Sequence, residues 1–145
     1  MKIQSSHLLE TGSRTIVPTL LVVSLFLLVV GHNAPGGGFV GGLLAGSGLL
    51  VVFLTGGSKA VAELLPVRTA TLIGSGIALA MATALGGLVL GGSLLTSGKL
   101  DLDLRWFGKL EVGSALIFDS GVYLVVVGLV ATVLLRLGET EGEPT

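Results

Sequence analysis

The sequence contains no cysteine. Disulfides, thiolate metal sites and cysteine nucleophiles are therefore excluded. Charge is almost as scarce. Only 12% of the 145 residues are charged, eight basic and nine acidic, against roughly a quarter in ordinary soluble domains. One Trp, one Tyr and two His complete a thin supply of chemistry-bearing side chains. His7 and His32 are separated by a whole apolar run, and no Ser-His-Asp arrangement, carboxylate pair or metal-ligand cluster emerges. Neither an enzyme, a cofactor nor a metal site is expected. With no concentrated basic patch and a net charge of −1, nucleic acid is not an expected partner.

What the chain has instead is apolar length. Hydrophobic residues make up 51% of it, and the mean hydropathy is +0.97. So few charges could not clothe a soluble core of this size. Four apolar runs approach the ~20 helical residues needed to cross ~30 Å of hydrocarbon: residues 15–31, 39–55, 70–92 and 113–135. Spanning strands would leave open sheet edges unpaired in lipid. The expected fold is an all-α integral membrane protein with four transmembrane helices, a single membrane domain over residues 1–145 with an acidic tail at 137–145. Lys2 and Arg14 ahead of the first run imitate a signal peptide. The run ends in Val-Val-Gly-His rather than a small-x-small cleavage site, so a retained helix is expected.

Orientation is read from Lys and Arg in the short loops. Four spans put both termini on one side. That side holds Lys2, Arg14, Lys59, Arg68 and Arg136, against Lys99, Arg105 and Lys109 on the other. Five against three favours cytoplasmic termini.

Glycine is abundant, at 24 residues. Gly38, Gly42 and Gly46 recur every fourth position, with Gly37, Gly41 and Ala45 beside them; Gly74, Ala78, Ala82 and Gly86 form a second such stripe. A period of four sets small residues on one helix face, where another helix can approach closely. Two such stripes in so small a chain point to close neighbours and packing inside an assembly.

Residues 31–42 read Gly-His-Asn-Ala-Pro-Gly-Gly-Gly-Phe-Val-Gly-Gly. The pattern G-x-G-x-x-G is formally met at residues 36–41, but the strand before it and the acidic residue after it that dinucleotide binding needs are missing. Gly56-Gly57-Ser58-Lys59 lacks phosphate-loop spacing. Pro35 biases Ala34 away from helix, and three glycines open backbone conformations closed to other residues. A tight interhelical turn and a re-entrant segment lining a wet cavity both fit. In either, His32 and Asn33 lie at the membrane boundary, where a histidine can titrate near neutral pH or serve as a hydrogen-bonded structural group.

Asp119 is the acidic residue inside an apolar span, about 9 Å along the fourth run. An intramembrane carboxylate is costly and is by default a functional candidate; the alternative is a paired or protonated clasp between helices. Tyr123, four residues on, shares its face, and Ser120 adjoins it. Two flanking features remain. Lys99-Leu-Asp-Leu-Asp-Leu-Arg-Trp106 alternates with period two, the pattern of an extended surface segment, and Trp106-Phe107 suits an interfacial anchor. Residues 58–65, with Lys59 and Glu63 at i,i+4, suit a short interfacial helix before Pro66.

From His7 to Arg136 the chain resembles the B subunit of Mrp-type (multiple resistance and pH) multisubunit cation/proton antiporters. The stretch Gly31-His32-Asn33-Ala34-Pro35-Gly36-Gly37-Gly38-Phe39 carries the most specific part of the likeness. An acidic residue in the last span, here Asp119, looks like part of the family pattern. The resemblance implies a multi-pass subunit of a prokaryotic cell membrane, set in lipid among other hydrophobic antiporter subunits. Those large subunits carry the main proton channels while the complex exchanges Na+ or another monovalent cation for H+. His32, Asp119 and Tyr123 are then candidates for the ion or proton path. Two alternatives stand beside this reading: a non-titrating scaffold of that complex, and the equivalent subunit of a related membrane-bound hydrogenase or respiratory complex. A self-contained four-helix transporter is disfavoured by the single intramembrane acid and the lack of an internal repeat.

Overall fold

A computed structural model describes residues 2–31, 36–89, 100–104, 108–112 and 114–140. Four helices dominate: α1 (Lys2–Val30), α2 (Gly37–Leu64), α3 (Thr69–Val89) and α4 (Ser114–Thr140). Each contains a window long and apolar enough to cross a membrane, at Ser13–Val30, Gly37–Leu64, Thr69–Gly86 and Ala115–Gly138. α1, α2 and α4 run past the apolar runs read from the sequence. Thus α4 extends to Thr140, through the first residues of what the composition suggests is a tail.

Between α3 and α4 the chain forms an antiparallel hairpin, β1 (Leu100–Leu104) with β2 (Gly108–Val112). Its register pairs Leu100 with Val112, Leu102 with Leu110 and Asp103 with Lys109. The period-two alternation read as an extended segment is thus one arm of a two-stranded ribbon, an addition to the all-α expectation. Trp106 and Phe107 lie outside the described residues.

The helices pack as a row. α2 and α3 each lie against α4, α1 lies against α2 and touches α4 only slightly, and among the described residues α3 touches neither α1 nor α2. The order across the row is α1, α2, α4, α3. Gly38 lies against Asp119, Gly42 against Val126 and Gly46 against Val130, so α2 and α4 run parallel. Gly41 against Ser24 and Gly48 against Leu20 make α1 antiparallel to α2. Gly76 against Gly121 and Gly128 against Leu72 and Ile73 do the same for α3 and α4.

α2 is broken once. Gly57 has φ 70° and ψ −168°, a region open essentially to glycine alone. Residues 37–56 reach about 30 Å at 1.5 Å per residue, enough to cross the hydrocarbon. Residues 58–64 then leave as a separate helical turn, where the sequence suggests a short interfacial helix. Val61 in that turn is fully buried, and Gly138 near the end of α4 lies against Ser58. The apolar core of the row sits toward this end, around Leu49, Ala131 and Leu134 with Phe53, Leu65, Val127 and Val130 packed on it.

Candidate functional site

The opposite end of the row carries the candidate ion-path residue Asp119 and the start of α2. Gly36 opens α2 in the left-handed conformation, φ 104° and ψ 10°, and its carbonyl accepts from the Val40 amide at 2.9 Å. Just before it, α1 ends against α2: a Cβ on Gly31 would lie 2.5 Å from the Gly37 Cα. The ends of α1 and α2 therefore meet. His32, Asn33 and Pro35, which join them, lie outside the described residues. Phe39 is half exposed on the outer surface of α2, while Gly37 and Gly38 are buried.

Asp119 lies five residues into α4, about 7.5 Å along its axis, and is partly buried. Its backbone rests directly on Gly38. The closest approach of α2 to α4 is therefore also the position of the intramembrane acid. Ser120 turns back on its own helix, its Oγ donating to the Leu116 carbonyl at 2.7 Å. Tyr123, one turn deeper than Asp119, reaches across α2 to α1, where its hydroxyl lies 2.9 Å from Ser24 Oγ. Ser24 Oγ in turn donates to the Gly41 carbonyl at 2.7 Å.

The structure sets two of the three ion-path candidates one turn apart on α4, Asp119 against Gly38 of the loop–helix motif and Tyr123 against Gly41 and Gly42. The second small-residue stripe is placed differently. Gly74, Ala78 and Ala82 are exposed and Gly86 is half-buried; a Cβ on Gly74 or Gly86 would meet nothing within 4 Å. α3 instead meets α4 through Gly76 and Ala80, which lie against Gly121. Nothing among the described residues packs against Gly74 or Gly86 of the stripe. Among the described residues, no three His, Asp or Glu side chains gather as a metal site.

A family model for a domain related to the MnhB subunit of Na+/H+ antiporter matches residues 8–132. The chain belongs to the MnhB family. Within that family, the B subunit of the Na+/H+ antiporter of Bacillus subtilis is 42% identical over 134 residues, covering 92% of this chain and 94% of that protein. The protein of the same name from Alkalihalophilus pseudofirmus is 36% identical over 134 residues, covering 92% and 93%. Among solved structures, a chain of the Mrp complex from Dietzia sp. DQ12-45-1b superposes with a TM-score of 0.75 at 35% identity, over 97% of this chain. This chain spans only 15% of the length of that one.

In this MnhB-family chain, sequence reasoning misses Ser24, the one buried polar side chain among the described residues. A signal for it exists: Ser24 is the only polar residue between Leu20 and Val30. It also misses Gly76, Gly121 and Gly128, which bear the α3–α4 contact but fall outside both period-four stripes.

Proposed function

We propose that this chain is the B subunit of a multisubunit monovalent-cation/proton antiporter in a bacterial cell membrane. In this reading it packs beside the large channel-bearing subunits and contributes Asp119 to the exchange path. The observation that carries the reading is Asp119 itself, an acid seated on the Gly38 contact between two apolar helices, in a chain that aligns over 92% of its length with subunits named for Na+/H+ antiport. A carboxylate there can bind a proton or a monovalent cation in turn, and desolvation makes the two states compete. Exchange by such alternation is transport chemistry, not enzymatic turnover. His32, between α1 and α2 in the sequence, is assigned to the same path in this proposal.

Partners are supported by two features. The equivalent of this chain in the Dietzia complex is a small part of a much longer chain, so in that protein it is tethered to further structure. In this chain the face of α3 bearing Gly74, Ala78 and Ala82 is exposed and small, a surface on which another helix can lie closely. Expressed by itself in vesicles from antiporter-deficient cells, the chain is expected to give no Na+-dependent change in ΔpH. Mild extraction from its native membrane is expected to bring several larger hydrophobic subunits with it. Robust exchange by the isolated chain would sink the subunit reading, and copurification with hydrogenase subunits would move the chain to the related complex.

The loop charges place both termini in the cytoplasm in this proposal. A cysteine introduced at Val67, exposed in the linker between α2 and α3, should react with an impermeant maleimide only after the membrane is opened. One at Ser97 should react in intact cells. The reverse pattern would turn the protein over.

A further inference from the structure

One hydrogen-bonded node joins three helices inside the apolar part of the row. Ser24 lies about 9 Å before the end of α1 and is fully buried. A serine hydroxyl carries one proton, and at 2.7 Å it is given to the Gly41 carbonyl. The 2.9 Å contact with Tyr123 is then made with the tyrosine donating. The node therefore has a direction, Tyr123 to Ser24 to Gly41, and it ends on a backbone carbonyl that offers no onward proton path. It is an anchor, not a relay. In that arrangement the Tyr123 oxygen keeps acceptor capacity toward its remaining surroundings.

The site is built around the missing side chain at Gly41. A Cβ there would lie 2.8 Å from the Ser24 carbonyl oxygen and 3.4 Å from Tyr123 Cδ2. The tyrosine ring is thus held by the backbone of α2 along its side and by α1 at its tip. Holding a long side chain of α4 at both places fixes how far α4 is rotated about its own axis. Asp119 shares the Tyr123 face one turn away, so the same rotation sets where its carboxyl points.

We infer that Ser24 is a positioning residue for the ion site: through Tyr123 it holds α4 in the rotation that presents Asp119 to the exchanged cation. The inference rests on the reading that Asp119 takes part in exchange. It is tested in the whole antiporter complex, in vesicles, by following ΔpH as Na+ is varied for Ser24→Ala, Tyr123→Phe, the double variant and Asp119→Asn. Both single variants are expected to assemble and to raise the half-saturating Na+ concentration about three- to tenfold, the size of one lost neutral hydrogen bond. The maximal rate should stay within roughly twofold, the mark of weakened binding rather than a changed exchange step. The double variant should do no more than either single. Ser24→Cys, which keeps a weaker donor, should fall between Ser24→Ala and the parent.

An unchanged half-saturation in assembled Ser24→Ala and Tyr123→Phe complexes, with Asp119→Asn impaired, overturns the inference and leaves the Asp119 reading intact. Additive shifts in the double variant overturn it too, since two independent contacts would then be involved. Tyr123→Phe removes one oxygen and no packing volume, so failure of that variant to assemble would reduce the node to a structural clasp. Normal exchange in Asp119→Asn removes the reading beneath the inference, and the inference falls with it.

Discussion

Asp119→Asn is expected to lower cation-dependent ΔpH by about tenfold or more in a complex that still assembles, a loss of about 1.4 kcal/mol. The substitution changes almost no volume, so the Gly38 contact survives while the exchangeable charge is removed. A clasp would respond differently: the same variant would either lose assembly or keep both assembly and activity. The measurement is the ΔpH response to added Na+ in vesicles, beside a native gel of the intact complex. Full exchange from a fully assembled Asp119→Asn complex removes the residue from the path and leaves the scaffold reading in its place.

Gly38→Ala reaches the same residue by a mechanical route. A Cβ at position 38 would run into the Asp119 carbonyl oxygen, and would lie 2.8 Å from its carbonyl carbon and 2.9 Å from its Cα. These are backbone atoms and cannot rotate aside, so α4 must move as a body. Overpacking of this kind costs about 1–3 kcal/mol, and it shifts the position of the intramembrane acid. We expect a lower melting temperature of the detergent-extracted complex and a loss of exchange, whereas Gly74→Ala, with nothing within 4 Å, should leave the chain itself unaffected. Equal tolerance of the two substitutions would contradict the parallel α2–α4 contact.

Much of the architecture is legible before any coordinates. The four apolar runs need only length and composition, and the lipid environment leaves them no alternative to helix. The stripe on α2 is legible as well, because a period of four on an apolar helix marks a close approach. Periodicity names a face but not what lies against it. So Gly74, Ala78, Ala82 and Gly86 look equivalent to the α2 stripe, yet the first three are exposed, while the single glycines at 76, 121 and 128 carry the contact between α3 and α4. The ribbon is half legible: Leu100 to Leu104 alternates plainly, but its second arm shows only once Lys109, Leu110, Glu111 and Val112 are set against it. Asp119 and Tyr123 stand out as polar residues in an apolar run. Ser24 stands out in the same way, but serine commonly bonds back to its own helix, as Ser47, Ser75 and Ser120 do here. Only the fold shows that Ser24 bonds across to α2 and α4.

The place of α4 in the row has a consequence for biosynthesis. α4 is the last of the four helices to leave the ribosome, yet it lies between α2 and α3, which do not touch each other among the described residues. A nascent chain that has inserted three helices can pair α1 with α2, but it has nothing to set against Gly38, Gly42 and Gly46, or against Gly76. Those bare faces wait in the bilayer until the fourth helix enters and closes both contacts at once. A chain cut short after α3 would therefore leave two glycine faces open to any passing transmembrane helix, and would be a target for membrane quality control rather than a smaller working subunit.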